Sequence, residues 1–130
     1  MLQSSKIFAL LGSINAALAV ILGAFGAHAL KAQASPEMLA IFQTGLRYHF
    51  YHAMGLFAVA FVASQLPQSK IVKWAGWLML GGTAFFSGGS YLLSLTGVRQ
   101  FGMLNPIGGI AFILSWLLLA FAVLQKEQKS

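Results

Sequence analysis

The chain has 130 residues, of which 58% are hydrophobic and 8% charged, with a formal net charge of +6 and no cysteine. Soluble globular proteins carry roughly 25% charged residues, so this chain lacks the polar side chains to cover a water-facing surface and needs lipid as its solvent. The missing cysteines exclude disulfides, thiolate metal sites and Cys nucleophiles, and the Lys and Arg residues sit singly or in pairs at segment ends instead of forming a stripe for nucleic acid.

Charge-free windows at 7–30, 48–69, 74–98 and 100–125 are each closed by basic residues. A hydrocarbon core of ~30 Å takes about 20 helical residues, and every window reaches that length. The expected fold is all-α: an integral membrane, up-down four-helix bundle with short loops. It forms a single transmembrane domain over residues 1–130, with spans at about 7–30, 46–66, 72–95 and 105–125.

The first helix is expected over about 5–31. Lys6 and the apolar run after it resemble a signal peptide, but signal cores span roughly 7–15 residues and this run is longer, so it reads as a span. Gly12, Ala16, Ala19, Gly23 and Ala27 recur three or four apart, a smooth stripe suited to packing against another helix. Asn15 lies inside this span and is expected to bond across to a neighbour.

The connector 32–46 contains a helix start, Ser35-Pro36-Glu37, which combines a capping residue, a first-turn proline and a carboxylate near the positive end of the helix dipole. Met38, Leu39, Ile41 and Phe42 give a short amphipathic lead into the second span, which ends before Pro67. A polar turn at 65–73 leads to the third helix, over about 72–95. A loop at 96–104 follows, and Asn105-Pro106 repeats the cap-then-proline signal to open the fourth helix. Placing both termini in the cytoplasm puts Lys6, Lys70, Lys73, Lys126 and Lys129 inside and Lys31, Arg47 and Arg99 outside, which the positive-inside rule favours.

Polar residues gather in the outer half of this projection: His28, Arg47, Tyr48, His49, His52, Ser87, Ser90, Tyr91 and Asn105. His49 and His52 are i,i+3 and Tyr48 and His52 are i,i+4, so they are expected to share a face, with Gly45 and Gly55 leaving space beside them. Ionisable groups at membrane depth normally face the interior, so His28, Arg47, His49, His52 and Tyr91 are expected to converge on one acid-responsive cavity. The plainer reading makes the aromatics and histidines interfacial anchors. Arg47 could pair with Glu37, although ten positions on one helix would require a bend. Gly88, Gly89, Gly108 and Gly109 read as close-packing sites, since no phosphate-loop spacing accompanies them.

The strings Gly23-Ala-Phe-Gly-Ala-His28, Gln43-Thr-Gly-Leu-Arg-Tyr-His-Phe-Tyr-His52, Phe86-Ser-Gly-Gly-Ser-Tyr91 and Asn105-Pro-Ile-Gly-Gly109 resemble, in order and across nearly the whole chain, the YgdD-like family of small bacterial inner-membrane proteins (domain of unknown function 423). The resemblance implies a protein crossing the inner membrane four times, in a family without an assigned biochemical activity. The family commonly carries threonine where this chain has Asn105, and both residue types cap helices.

Enzyme chemistry lacks parts, because the chain has no Asp and its only carboxylate side chains are Glu37 and Glu127. A zinc site from His28, His49 and His52 would lack carboxylate support, so no metal and no cofactor is expected. The leading expectation is a non-enzymatic membrane protein whose outer-half pocket, formed by His28, Arg47, Tyr48, His49, His52, Ser87, Tyr91 and Asn105, binds or moves a small anion or lipid headgroup. The alternative is a structural or accessory subunit of a membrane assembly. A third reading is a bis-histidine haem electron carrier joining His28 to His49 or His52. Expected partners are membrane lipids and a second copy or another membrane protein, not nucleic acid.

Overall fold

The computed structural model describes residues 2–125, so Lys126, Glu127 and Lys129 lie outside the described residues. Four α-helices follow one another: α1 (Leu2–Phe25), α2 (Pro36–Gln65), α3 (Lys70–Thr96) and α4 (Leu104–Gln125). A π-helical turn, Gly26–Leu30, extends α1, and a 3-10 turn, Arg99–Met103, precedes α4.

The boundaries have local chemical causes. Ser35 accepts a hydrogen bond from the Met38 N–H at 3.2 Å and Pro36 takes the first helical position, where its missing N–H costs nothing. Ser69 caps α3 in the same way through the Val72 N–H at 3.3 Å. Gly97 ends α3 with φ of 74°, a left-handed conformation that a side chain would strain.

The capped start at Ser35 runs without interruption into the expected second span, giving one helix of 30 residues. That placement moves His49 and His52 from the outer start of a span, where the sequence reading put them, to the middle of α2. α1, α3 and α4 are each long and apolar enough to cross a membrane by length and composition. α2 matches them in length, but it carries Gln43, Arg47, His49 and His52 between its start and its middle turns.

Consecutive helices run antiparallel. Along α1 and α2, Ser5 Oγ donates to the Ala60 carbonyl at 3.0 Å, Gly12 lies against Ala53, Asn15 bonds His49, and Gly26 lies against Phe42. Gly45 faces Ser90 and Gly55 faces Met79 between α2 and α3, and Gly82 meets Phe112 between α3 and α4. α2 and α3 form the central pair, with α1 packed mainly on α2 and α4 mainly on α3.

The half of the bundle holding the α2–α3 turn is apolar inside, built on Phe8, Leu56, Val59, Val72, Met79 and Leu119. The half holding the other two connections, termed here the connector half, contains most of the buried polar groups. The small-residue stripe of α1 packs only in part: Gly12 and Ala19 are buried against α2, Gly23 approaches only the end of Leu46, and Ala27 is exposed. Across the π turn the buried face passes to Gly26 and Leu30, leaving Ala27, His28 and Ala29 outside.

Candidate functional site

The polar side chains of the connector half form separate networks, not one cavity. His49 is buried between α1 and α3. Its Nε2 lies 2.9 Å from Asn15 Oδ1, and its Nδ1 lies 2.8 Å from the Tyr91 hydroxyl. Asn15 Nδ2 donates to the Leu11 carbonyl at 2.9 Å, which leaves Oδ1 as the acceptor toward His49. The chain of donors is therefore ordered: Tyr91 O–H to His49 Nδ1, His49 Nε2–H to Asn15, and Asn15 to Leu11. A neutral Nε2–H imidazole satisfies every member.

His52 turns the other way, toward α4. Trp116 Nε1–H donates to its Nε2 at 3.0 Å, while its Nδ1 lies 2.8 Å from the Tyr48 carbonyl and donates to it. An indole N–H cannot accept and a carbonyl cannot donate, so the neutral Nδ1–H form is the one that fits. The ring stacks on Phe112 with centroids 3.5 Å apart and planes 5° apart, and Tyr48 lies 4.6 Å from Phe86. Aromatic rings of α2 and α4 thus surround this histidine, and Phe86 of α3 packs on Tyr48 and Phe112 beside it.

The hydroxyl and amide groups clasp the same helices. Ser87 Oγ donates to the Gly45 carbonyl at 2.7 Å, binding α3 to α2. Asn105 Nδ2 contacts the Phe86 carbonyl at 3.1 Å and Ser90 Oγ at 2.7 Å, binding α4 to α3. Asn105 was expected to cap the fourth helix, but that helix already begins at Leu104, and the Asn105 amide reaches sideways into the bundle instead.

Several expected site residues lie apart from these networks. His28 is exposed in the π turn, because the wider turn rotates it off the packing face. Arg47 is exposed and donates only to Thr44 Oγ1, at 3.2 Å, among the described residues. Glu37 does not pair with Arg47, because no bend forms between them on α2. It takes both terminal nitrogens of Arg99 at 3.3 Å across an exposed gap, and this hydrogen bond raises the Arg99 pKa above its ordinary value. Gly45 and Gly55 leave no void beside the histidines, since Ser90 occupies one position and Met79 with Trp116 the other.

This geometry bears on ligand chemistry. Both ring nitrogens of His49 and of His52 are engaged, so neither presents a lone pair to a haem iron without losing an existing partner. The histidines 28, 49 and 52 occupy three different surroundings, and among the described residues no three His, Asp or Glu side chains gather as a metal site. No buried side-chain nitrogen or oxygen among the described residues lacks a hydrogen-bond partner. The sequence reading missed Trp116 and Phe112 as members of this region, and the signal available was their i,i+4 spacing on a helix whose one other aromatic residue is Phe121.

Comparison with known proteins agrees with the membrane architecture. No solved structure matches the chain. A UPF0382 membrane protein of Bacillus subtilis, YwdK, is 48% identical over 92% of this chain and 98% of its own length. A UPF0382 membrane protein of Staphylococcus epidermidis is 43% identical over 92% of this chain and 97% of its own. The family model described as a protein of unknown function, DUF423, matches residues 22–109, which include the end of α1 and its π turn, the whole of α2 and α3, and the start of α4. The chain belongs to the DUF423 family of membrane proteins.

Proposed function

We propose that this protein is a non-enzymatic structural or accessory component of the bacterial inner membrane, crossing it four times with both termini in the cytoplasm. The observation that carries this reading is the closure of the buried polar groups on one another. Each nitrogen of His49 and His52 is used by a neighbouring group, and Ser87, Ser90 and Asn105 are used in the same manner. Interhelical bonds of this kind hold membrane helices in one arrangement, where the hydrophobic effect gives no preference for helix over lipid. The reading in which these residues hold a small anion needs unpaired donors facing a shared space, and the paired network offers none.

Antiparallel packing of α2 between α1 and α3 supports a fourth crossing despite its polar residues, because His49 and His52 turn inward. Orientation rests on the basic residues. Lys6, Lys70 and Lys73 lie at the end with the α2–α3 turn, Lys31, Arg47 and Arg99 lie in the connector half, and the balance is set by Lys126 and Lys129.

Native mass spectrometry with thermal melts tests this reading on the intact chain and on His49→Leu and His52→Leu. The expected result is a lower Tm in both variants with the same set of bound small molecules. A stoichiometric ligand held by the native chain and absent from both variants at unchanged Tm would overturn it.

A further inference from the structure

Among the described residues Arg47 is the charged side chain that lies well inside a helix, while the others lie near helix ends or in connections. It lies about 16 Å along α2 from Pro36, level with Ala19 and Val20 of α1, with which it shares a groove. The corresponding stretch of α1 carries no Lys, Arg, Asp or Glu from Ile7 to Leu30, and residues 19–20 lie near its middle, which places the Arg47 backbone about 13 Å inside a ~30 Å hydrocarbon layer. An exposed guanidinium at that depth needs an anion or water. Among the described residues no carboxylate supplies one, since Glu37 is engaged by Arg99.

The side-chain direction indicates where the anion comes from. Arg47 Nη2 donates to Thr44 Oγ1, one turn nearer the start of α2, so the guanidinium is drawn toward the headgroup layer of the connector half while its stem stays in the acyl region. Beside it, Ala19, Val20, Leu46, Phe50 and Tyr51 complete a groove of about 280 Å³ that opens to lipid. A cation at the upper end of an apolar groove matches one molecule already present at that level: a phospholipid with its phosphate on the guanidinium and an acyl chain along the groove.

We propose that Arg47, with Thr44 and this groove, is a binding site for an anionic phospholipid in the leaflet of the connector half. The guanidinium still has N–H groups to donate beyond the one bonded to Thr44, enough for two phosphate oxygens. A zwitterionic lipid carries its own cation beside the phosphate, so preference for net negative headgroups follows. This inference rests on α2 lying in the bilayer and is independent of the accessory role.

The test is native mass spectrometry of the whole chain titrated with phosphatidylglycerol or with phosphatidylcholine of the same acyl chains. A single Lys or Arg near a membrane surface supports a preference of about fivefold. The native chain, Arg47→Lys and Arg99→Gln are expected to show that preference, and Arg47→Gln to lose it. Equal affinity of the native chain for the two lipids, or an unchanged preference in Arg47→Gln, overturns the proposal. Should Arg47→Gln fail to fold, photoreactive acyl chains on the native chain give the same information. Labels from the anionic lipid are expected to concentrate on residues 19–20 and 50–51 relative to the choline lipid, and equal labelling overturns the site. Labelling at exposed Phe61 by both lipids reports whether α2 is in the bilayer, so failure of the site and failure of the span are distinguishable.

Discussion

The neighbouring glycines Gly108 and Gly109 should respond to the same substitution with opposite sign. A Cβ on Gly108 would lie 2.4 Å from the Phe86 amide nitrogen and 2.8 Å from the Gly82 carbonyl oxygen, while one on Gly109 meets nothing within 4 Å. Ordinary contact is near 3.4–4 Å, so Gly108→Ala must push α4 away from α3 by roughly 1 Å, a gap that forfeits a quarter to a half of each dispersion contact it opens. Overpacking of this kind costs about 1–3 kcal/mol, and the obstruction here is backbone, which cannot rotate aside. The shift would also stretch the bond from Asn105 to Ser90, now 2.7 Å. Replacing glycine by alanine inside a helix returns about 0.5–1 kcal/mol at both positions. The net expectation is a loss of about 1–2 kcal/mol for Gly108→Ala and a gain of up to about 1 kcal/mol for Gly109→Ala. Thermal unfolding in one detergent, read by far-ultraviolet circular dichroism, measures both. Equal shifts for the two variants, or stabilisation by Gly108→Ala, would refute the close packing of α4 on α3.

Three further outcomes follow from the same geometry. His52→Leu should cost about 1–3 kcal/mol by leaving the Trp116 N–H unpaired, and adding Trp116→Phe should recover part of that loss; additive losses in the cycle would show that the bond contributes nothing. Tyr91→Phe, which removes only the donor to His49, should lower stability by about 0.6–1.7 kcal/mol, and an unchanged melt would place the tyrosine outside the network. Single cysteines at Gln33, Gln68 and Gln100 test orientation in a chain with no native cysteine: an impermeant reagent applied to sealed cells should label Gln33→Cys and Gln100→Cys but not Gln68→Cys, and the reverse pattern would invert the topology.

The helical architecture was readable because lipid imposes a length and a polarity that survive any detail of packing. The start of α2 was readable for a local reason, since Ser35 and Pro36 satisfy the helix terminus by themselves. The same local pattern misled at Asn105, where the preceding residues already form helical turns and the amide finds better acceptors across the interface. Gly88-Gly89 and Gly108-Gly109 were read as equivalent packing pairs. Each pair in fact divides, with Gly89 and Gly108 against a neighbour and Gly88 and Gly109 facing open space. Adjacent helical residues point about 100° apart, so one helix face can claim only one of them.

The histidines show where helical periodicity stops being informative. Positions i and i+3 are about 60° apart around a helix, near enough to suggest a shared face. On a helix enclosed by three others, that angle is also enough to cross from one interface into the next. His49 enters the space between α1 and α3, and His52 enters the aromatic enclosure against α4. What decides between the two outcomes is the partner chemistry on the facing helices. Asn15 supplies an acceptor where His49 has an N–H, and Trp116 supplies a donor where His52 has a lone pair. The two rings therefore adopt opposite tautomers three residues apart, each fixed by a different neighbour. α2 can bury His49 and His52 inside the bundle because α1, α3 and α4 each contribute complementary partners. Among the described residues Arg47, exposed midway along α2, has no counter-charge, and that places an unfilled chemical requirement on the outer face of the bundle.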